Sequence, residues 1–121
     1  MGIAKGDREG AAAQAAQNYN LFGAPHVAIV TTASALAVYG AIDCGGYVAN
    51  LMLAARSLGV ACVAQAALAS RPDAVRDFFS LGEDRLVVCG VSFGYEDAQH
   101  AANQFRTTRA ELTDAVTWKD E

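Results

Sequence analysis

The chain has 121 residues, 53% hydrophobic and 18% charged, with a formal net charge of -4. This length allows one domain with a real core, and the composition excludes disorder; no charge-free apolar run of about 18 residues is present to span a membrane. The acidic balance argues against a nucleic-acid binder, whose phosphate contacts need a basic surface, but leaves room for one or two cations gripping the phosphate of a small ligand.

The first residues, GIAKGDREGAAAQ, mix charges and lack the apolar centre of a secretion signal, so the cytoplasm is the expected compartment. Asp7 to Gln17 reads as an Ala-rich helix capped by Asp7; its glycines and polar face mean it must lie against something. NYNLFGAP breaks the pattern, and His26 to Thr32 is β-branched and apolar, as a central strand would be. Ser34 to Ala41 is read as a loop with a turn at Gly40.

Asp43 to Gly59 is the helix around which the chain is organised. Val48, Leu51, Met52, Ala55 and Leu58 share one face, and Ala49, Leu53 and Ala54 carry apolar surface to the other side. Asp43 is expected to cap it and Gly59 to end it in a left-handed conformation. A helix apolar on two sides needs two partners, which we read as a sheet of its own chain and another subunit.

Val60 to Ala66 follows as a second strand. Ser70 is expected to cap a helix with Pro72 and Asp73 in its first turn and a stop at Gly82, and Arg85 to Phe93 is a third strand. Tyr95 to Asp114 is polar, and Val116 to Trp118 is a last β-prone patch. The plain reading of these elements is an α/β arrangement of a small sheet with helices.

No catalytic constellation stands out. Cys44, Cys62 and Cys89 are scattered, without metal-ligand spacing, and read as reduced structural thiols; His26 and His100 have no nucleophile in an elbow-like setting. Gly45-Gly46 at the start of a helix suits tight helix packing or an anion, with packing favoured. Arg106 and Arg109 stand three residues apart in a tail poor in cations, a spacing that suits either a solvated pair or convergence on a phosphate. Gln65 is one polar residue in a core-like strand end and must be satisfied there.

Taken together, GIAKGDREGAAAQAAQNYNLFGAP, the NLMLAARSLG helix with Asp43 seven residues before its Asn50, CVAQAALASRPD, RLVVCGVSFGY and NQFRTTRAEL resemble the C-terminal half of the FMN-dependent nitroreductase family. The resemblance implies an α+β fold (an α/β sandwich), a single partial domain over residues 1–121 with a small, mainly antiparallel sheet and a buried central helix that packs against its twin in a homodimer. It implies FMN as cofactor, with backbone amides of Ala64, Gln65, Ala66 and Ala67 near the flavin ring and Arg109, with Arg106, at the phosphate. Those amides would stabilise the negative charge of reduced flavin. Val116 to Trp118 resembles an extension reaching onto the partner.

Two departures accompany the resemblance. Ala64 stands where the family commonly has proline, and the family's N-terminal half, with further phosphate and ribityl contacts, has no counterpart here. The expected function is therefore an FMN-dependent oxidoreductase passing electrons from NAD(P)H to a nitroaromatic or quinone, in a truncated form. The alternative is a non-catalytic dimerising or flavin-binding fragment that needs a separate N-terminal half.

Overall fold

The computed structural model describes residues 2–119. Asp7 is extended and its Oδ1 accepts the Gly10 amide at 2.8 Å, so α1 (Arg8–Ala16) starts at the expected cap. β1 (His26–Ala33), β2 (Ala61–Gln65) and β3 (Arg85–Gly94) form one sheet in the order β1-β3-β2, every pairing antiparallel. The three strands lie where β-branched and apolar residues cluster, and β3, the most buried, takes the centre. The β1–β3 register shifts at Val30/Thr31, where Val30 faces Cys89 and Thr31 faces Val87, so Val88 is a bulge.

The organising helix, α2 (Ala37–Ser57), begins six residues before Asp43. A 3-10 turn over Ser34–Leu36 leads into it without a side-chain cap. Asp43 is thus an exposed residue inside the helix, not its cap, and Gly40 is helical rather than a turn. The reason is packing: a Cβ on Gly40 would stand 2.5 Å from Thr32 Oγ1 and 2.9 Å from Leu36 Cβ, so only glycine lets the helix reach β1 this closely. The other end follows the sequence. Gly59 is left-handed with φ 77°, its amide reaches Arg56 O at 3.0 Å, and the Val60 amide reaches Ala55 O at 2.9 Å, the paired closure of a glycine-ended helix.

Within this chain α2 is buried on one face only, so the sheet covers one of the two apolar sides read from the sequence and the other stays open. Gly40, Ala41, Cys44, Val48, Leu51, Met52 and Ala55 turn towards the sheet at three- and four-residue spacing. The opposite face leaves Tyr39, Ile42, Tyr47 and Leu53 between 61% and 76% exposed. Gly45 and Gly46 sit mid-helix on this outer face, where an added Cβ would meet nothing within 4 Å. They therefore open no helix for an anion, and no packing within the chain requires them. By length and composition alone Ser34–Ser57 could cross a membrane, but its inner face is committed to the sheet.

A 3-10 turn at Ala66–Ser70 precedes α3 (Pro72–Phe79). Arg71, not Ser70, holds the cap position, because the Ser70 hydroxyl is turned back to Ala67 O at 2.6 Å. α3 ends at Ser80, left-handed with φ 53°, two residues before the expected stop at Gly82. Leu68 from the 3-10 turn and Val30, Val87 and Val91 from the strands make the buried apolar core. Beyond β3 the tail carries a 3-10 turn at Ala101–Asn103 and a short helix α4 (Leu112–Ala115). Val116 is extended, but the patch to Trp118 pairs with no strand among the described residues, and Trp118 is 72% exposed.

Candidate cofactor site

β2 is an edge strand, so every second backbone amide along it points away from β3. Ala64 and Ala66 are exposed and Ala67 is half-buried, and their small side chains leave the backbone approachable. Gln65 between them points the other way and is buried. Its Nε2 donates to Asn18 O at 2.9 Å, and its Oε1 accepts the Ser92 hydroxyl in a close contact. The side chain is therefore spent on fastening the end of the α1 segment to the sheet. Only the backbone of Gln65 remains for a ligand.

The tail cations lie at the other end of the same strand. One large open groove, about 1850 Å3 in volume, is bounded by the residues after α1, by Ala61, Cys62 and Val63 of β2, by Phe93 and Gly94 of β3, and by Arg106 and Arg109. Ala64 and Gln65 at the end of β2, and Ala66 and Ala67 in the 3-10 turn after it, lie beyond this lining. Four residues of strand, about 13 Å, separate Ala61 from Gln65. The structure thus strings the two groups of candidate residues along one edge without gathering them into one pocket. Arg106 Nη1 donates to Asn103 O at 2.6 Å and Phe105 O at 2.9 Å, and its Nη2 lies 3.3 Å from Glu96 Oε1. Arg109 donates to Thr107 Oγ1 at 2.8 Å, its one side-chain hydrogen bond among the described residues.

Two titratable groups of the groove lining are engaged within the tail: His100 Nδ1 accepts the Ala102 amide at 3.2 Å, and Glu96 pairs with Arg106. Burial beside α2, with a smaller contribution from neighbouring Cys44, pushes the Cys89 thiol pKa up, so it stays protonated at neutral pH. Among the described residues no cluster of His, Cys, Asp and Glu could hold a metal ion. The exposed Tyr19 phenol has its pKa lowered by the Ser70 hydroxyl 3.0 Å away and, to a lesser degree, by Arg71. It anchors the α1 segment to the turn after β2. The sequence picked out Arg106 and Arg109 by charge contrast; it did not pick out Glu96, whose partners lie ten and forty residues away.

The fold is that of an α+β domain, and its large open groove reaches from Ala61–Val63 on the edge of β2 to the arginines of the tail. The chain belongs to the nitroreductase family, whose model matches residues 3–95. It is 40% identical over 107 residues to the 4-nitrobenzoate reductase of Nocardioides sp. (strain LMS-CY), covering 87% of this chain and 43% of that relative. The FMN-dependent nitroreductase NfnB from Mycobacterium smegmatis, solved in complex with NADPH, superposes with a TM-score of 0.91 at 33% identity, over 98% of this chain and 53% of that one. The FMN and NADPH-dependent NfnB from Sphigopyxis sp. strain HMH superposes with a TM-score of 0.93 at 28% identity, over 99% and 54%. The nitroreductase fold expected from the sequence is thereby established. This chain spans about half the length of the curated relatives it matches.

Proposed function

We propose that the chain carries one side of an FMN site and serves an FMN-dependent nitroreductase that uses NAD(P)H to reduce a nitroaromatic or quinone. The observation that carries this reading is the exposed edge at the end of β2, where Ala64 and the turn residues Ala66 and Ala67 have small side chains, beside a groove lined by Ala61 to Val63 and by Arg109. FMN, when bound, supplies the hydride and electron chemistry, which is why the chain needs positioning groups rather than an acid-base pair. The backbone amides of Ala64 to Ala67 would donate to the polar edge of the ring and favour its negatively charged reduced form. Arg109, with Arg106 behind it, would hold the phosphate. The groove residues Cys62, Val63 and Phe93 would shield the ring from water. Absorbance of the purified chain after FMN addition and gel filtration tests the binding. NAD(P)H oxidation dependent on 4-nitrobenzoate tests the turnover, and a chain that retains no flavin would overturn the reading.

A second reading is favoured by the size of the groove, which exceeds the roughly 300–1,000 Å3 of an ordinary small-molecule pocket. On that reading the chain dimerises or binds flavin without turnover until a separate polypeptide completes the groove. Activity appearing only when such a polypeptide is added would favour it.

The chain is further read as a cytoplasmic homodimer joined through the outer face of α2, where Ile42, Gly45, Gly46, Ala49 and Leu53 form an apolar stripe with room for close approach. Leu53→Asp, placing a charge in that stripe, is expected to turn a dimer into a monomer by light scattering while leaving the far-UV circular dichroism unchanged. A Leu53→Asp chain that stays dimeric would remove α2 from the interface.

A further inference from the structure

We propose that Glu96 is the positioning residue of the phosphate end of this site: it locks Arg106 into the scaffold of the tail, so that Arg109 is the guanidinium delivered to the phosphate. The proposal rests on the flavin-site reading above.

Glu96 lies two residues beyond the end of β3 and is the more buried member of both its ion pairs, with its side chain 28% exposed. Its Oε2 lies 3.5 Å from Arg56 Nη1 in the last turn of α2, and its Oε1 lies 3.3 Å from Arg106 Nη2 in the tail. One carboxylate therefore ties together the end of the sheet, the end of α2 and the tail. The segment between Glu96 and Arg106 is closed on itself. Asp97 O accepts the Asn103 side-chain amide at 2.9 Å, Gln99 O accepts that of Gln104 at 3.1 Å, and His100 Nδ1 accepts the Ala102 amide at 3.2 Å. Arg106 completes the closure through Asn103 O and Phe105 O.

Three of the five guanidinium donors of Arg106 are thus engaged by protein oxygens, one of them a carboxylate that would compete with a phosphate for the same positive charge. Arg109 differs. It meets a neutral hydroxyl, lines the same groove, and lies three residues, within about 10 Å of chain, from the anchored Arg106. The two tail arginines are therefore not equivalent: one is part of the frame and the other faces the ligand. Glu96 makes the difference by neutralising the first.

The test compares the parent chain with Glu96→Ala, Arg106→Ala and the double variant, in two measurements. Amide hydrogen exchange without flavin should accelerate over residues 99–107 in Glu96→Ala; unchanged exchange overturns the anchor. Fluorescence titration with FMN and with riboflavin, which lacks the phosphate, reads the site. Glu96→Ala and Arg106→Ala should each weaken FMN about two- to fivefold, the range of a partly exposed ion pair. Riboflavin affinity should stay unchanged, and the double variant should be no worse than either single one. Tighter FMN binding in Glu96→Ala, or an undiminished Arg106→Ala effect once Glu96 is gone, overturns the proposal by making Arg106 itself the ligand. A parent chain that binds FMN and riboflavin equally well shows that the phosphate-site reading has failed, and the positioning role falls with it; the exchange result then stands alone as a measure of the anchor.

Discussion

An Arg109→Ala chain is expected to lose FMN on gel filtration under conditions where the parent keeps it. A guanidinium that donates to a phosphate makes charge-assisted hydrogen bonds worth about 1.5–3 kcal/mol, so FMN affinity should fall by roughly ten- to a hundredfold. Riboflavin, with no phosphate to lose, should bind both chains alike. Arg109→Lys should recover only part of the loss, because an ammonium keeps the charge but not the planar pair of donors. The effect should exceed that of Arg106→Ala, whose guanidinium is already engaged by Asn103, Phe105 and Glu96. Equal losses for FMN and riboflavin would place Arg109 away from the phosphate.

The second large effect is on stability, and it turns on two glycines of one helix. Gly40→Val puts carbon where Thr32 Oγ1, Leu36 Cβ and Thr32 Cγ2 lie 2.5, 2.9 and 3.0 Å from the first added atom. Thr32 is buried in the sheet and Leu36 Cβ is fixed by the turn before α2, so neither can swing aside. The helix must lift off β1, at a cost of about 1–3 kcal/mol. That corresponds to a melting temperature lower by roughly 4–15 °C for a domain of this size. Gly45→Ala should act in the opposite direction when measured on the monomer, raising stability by about 0.5–1 kcal/mol, since its Cβ meets nothing and alanine favours helix. A pair of melting curves decides the matter. Two shifts of the same sign would show that α2 does not sit on β1 as described.

Much of the scaffold was legible because its signals are local. Asp7 caps α1, Gly59 ends α2, and each strand falls within about a residue of its apolar run, since each depends on residue types within a turn or two. The start of α2 was not legible in the same way. No capping side chain marks Ala37, and Gly40 carries the turn signal that a glycine gives when its contact with Thr32 is invisible. The inward positions Gly40, Ala41, Cys44 and Val48 do continue the helical spacing, and weighting that period above the glycine would have extended the helix. In the site, the need to satisfy Gln65 was readable, but its partners Asn18 and Ser92, 47 and 27 residues away, were not. Arg106 and Arg109 were found as a pair; their inequality depends on Glu96 and could be read only from the folded chain.

The two faces of α2 also bear on what stability means for this protein. One helix supplies both the layer that covers the sheet and the stripe read as the subunit interface, so folding and association draw on the same 21 residues. Unfolding should then be linked to association by mass action, and the midpoint should climb as protein concentration rises. Dilution would act on this chain as a mild denaturant, and its half-life in a cell would depend on how much of it is made.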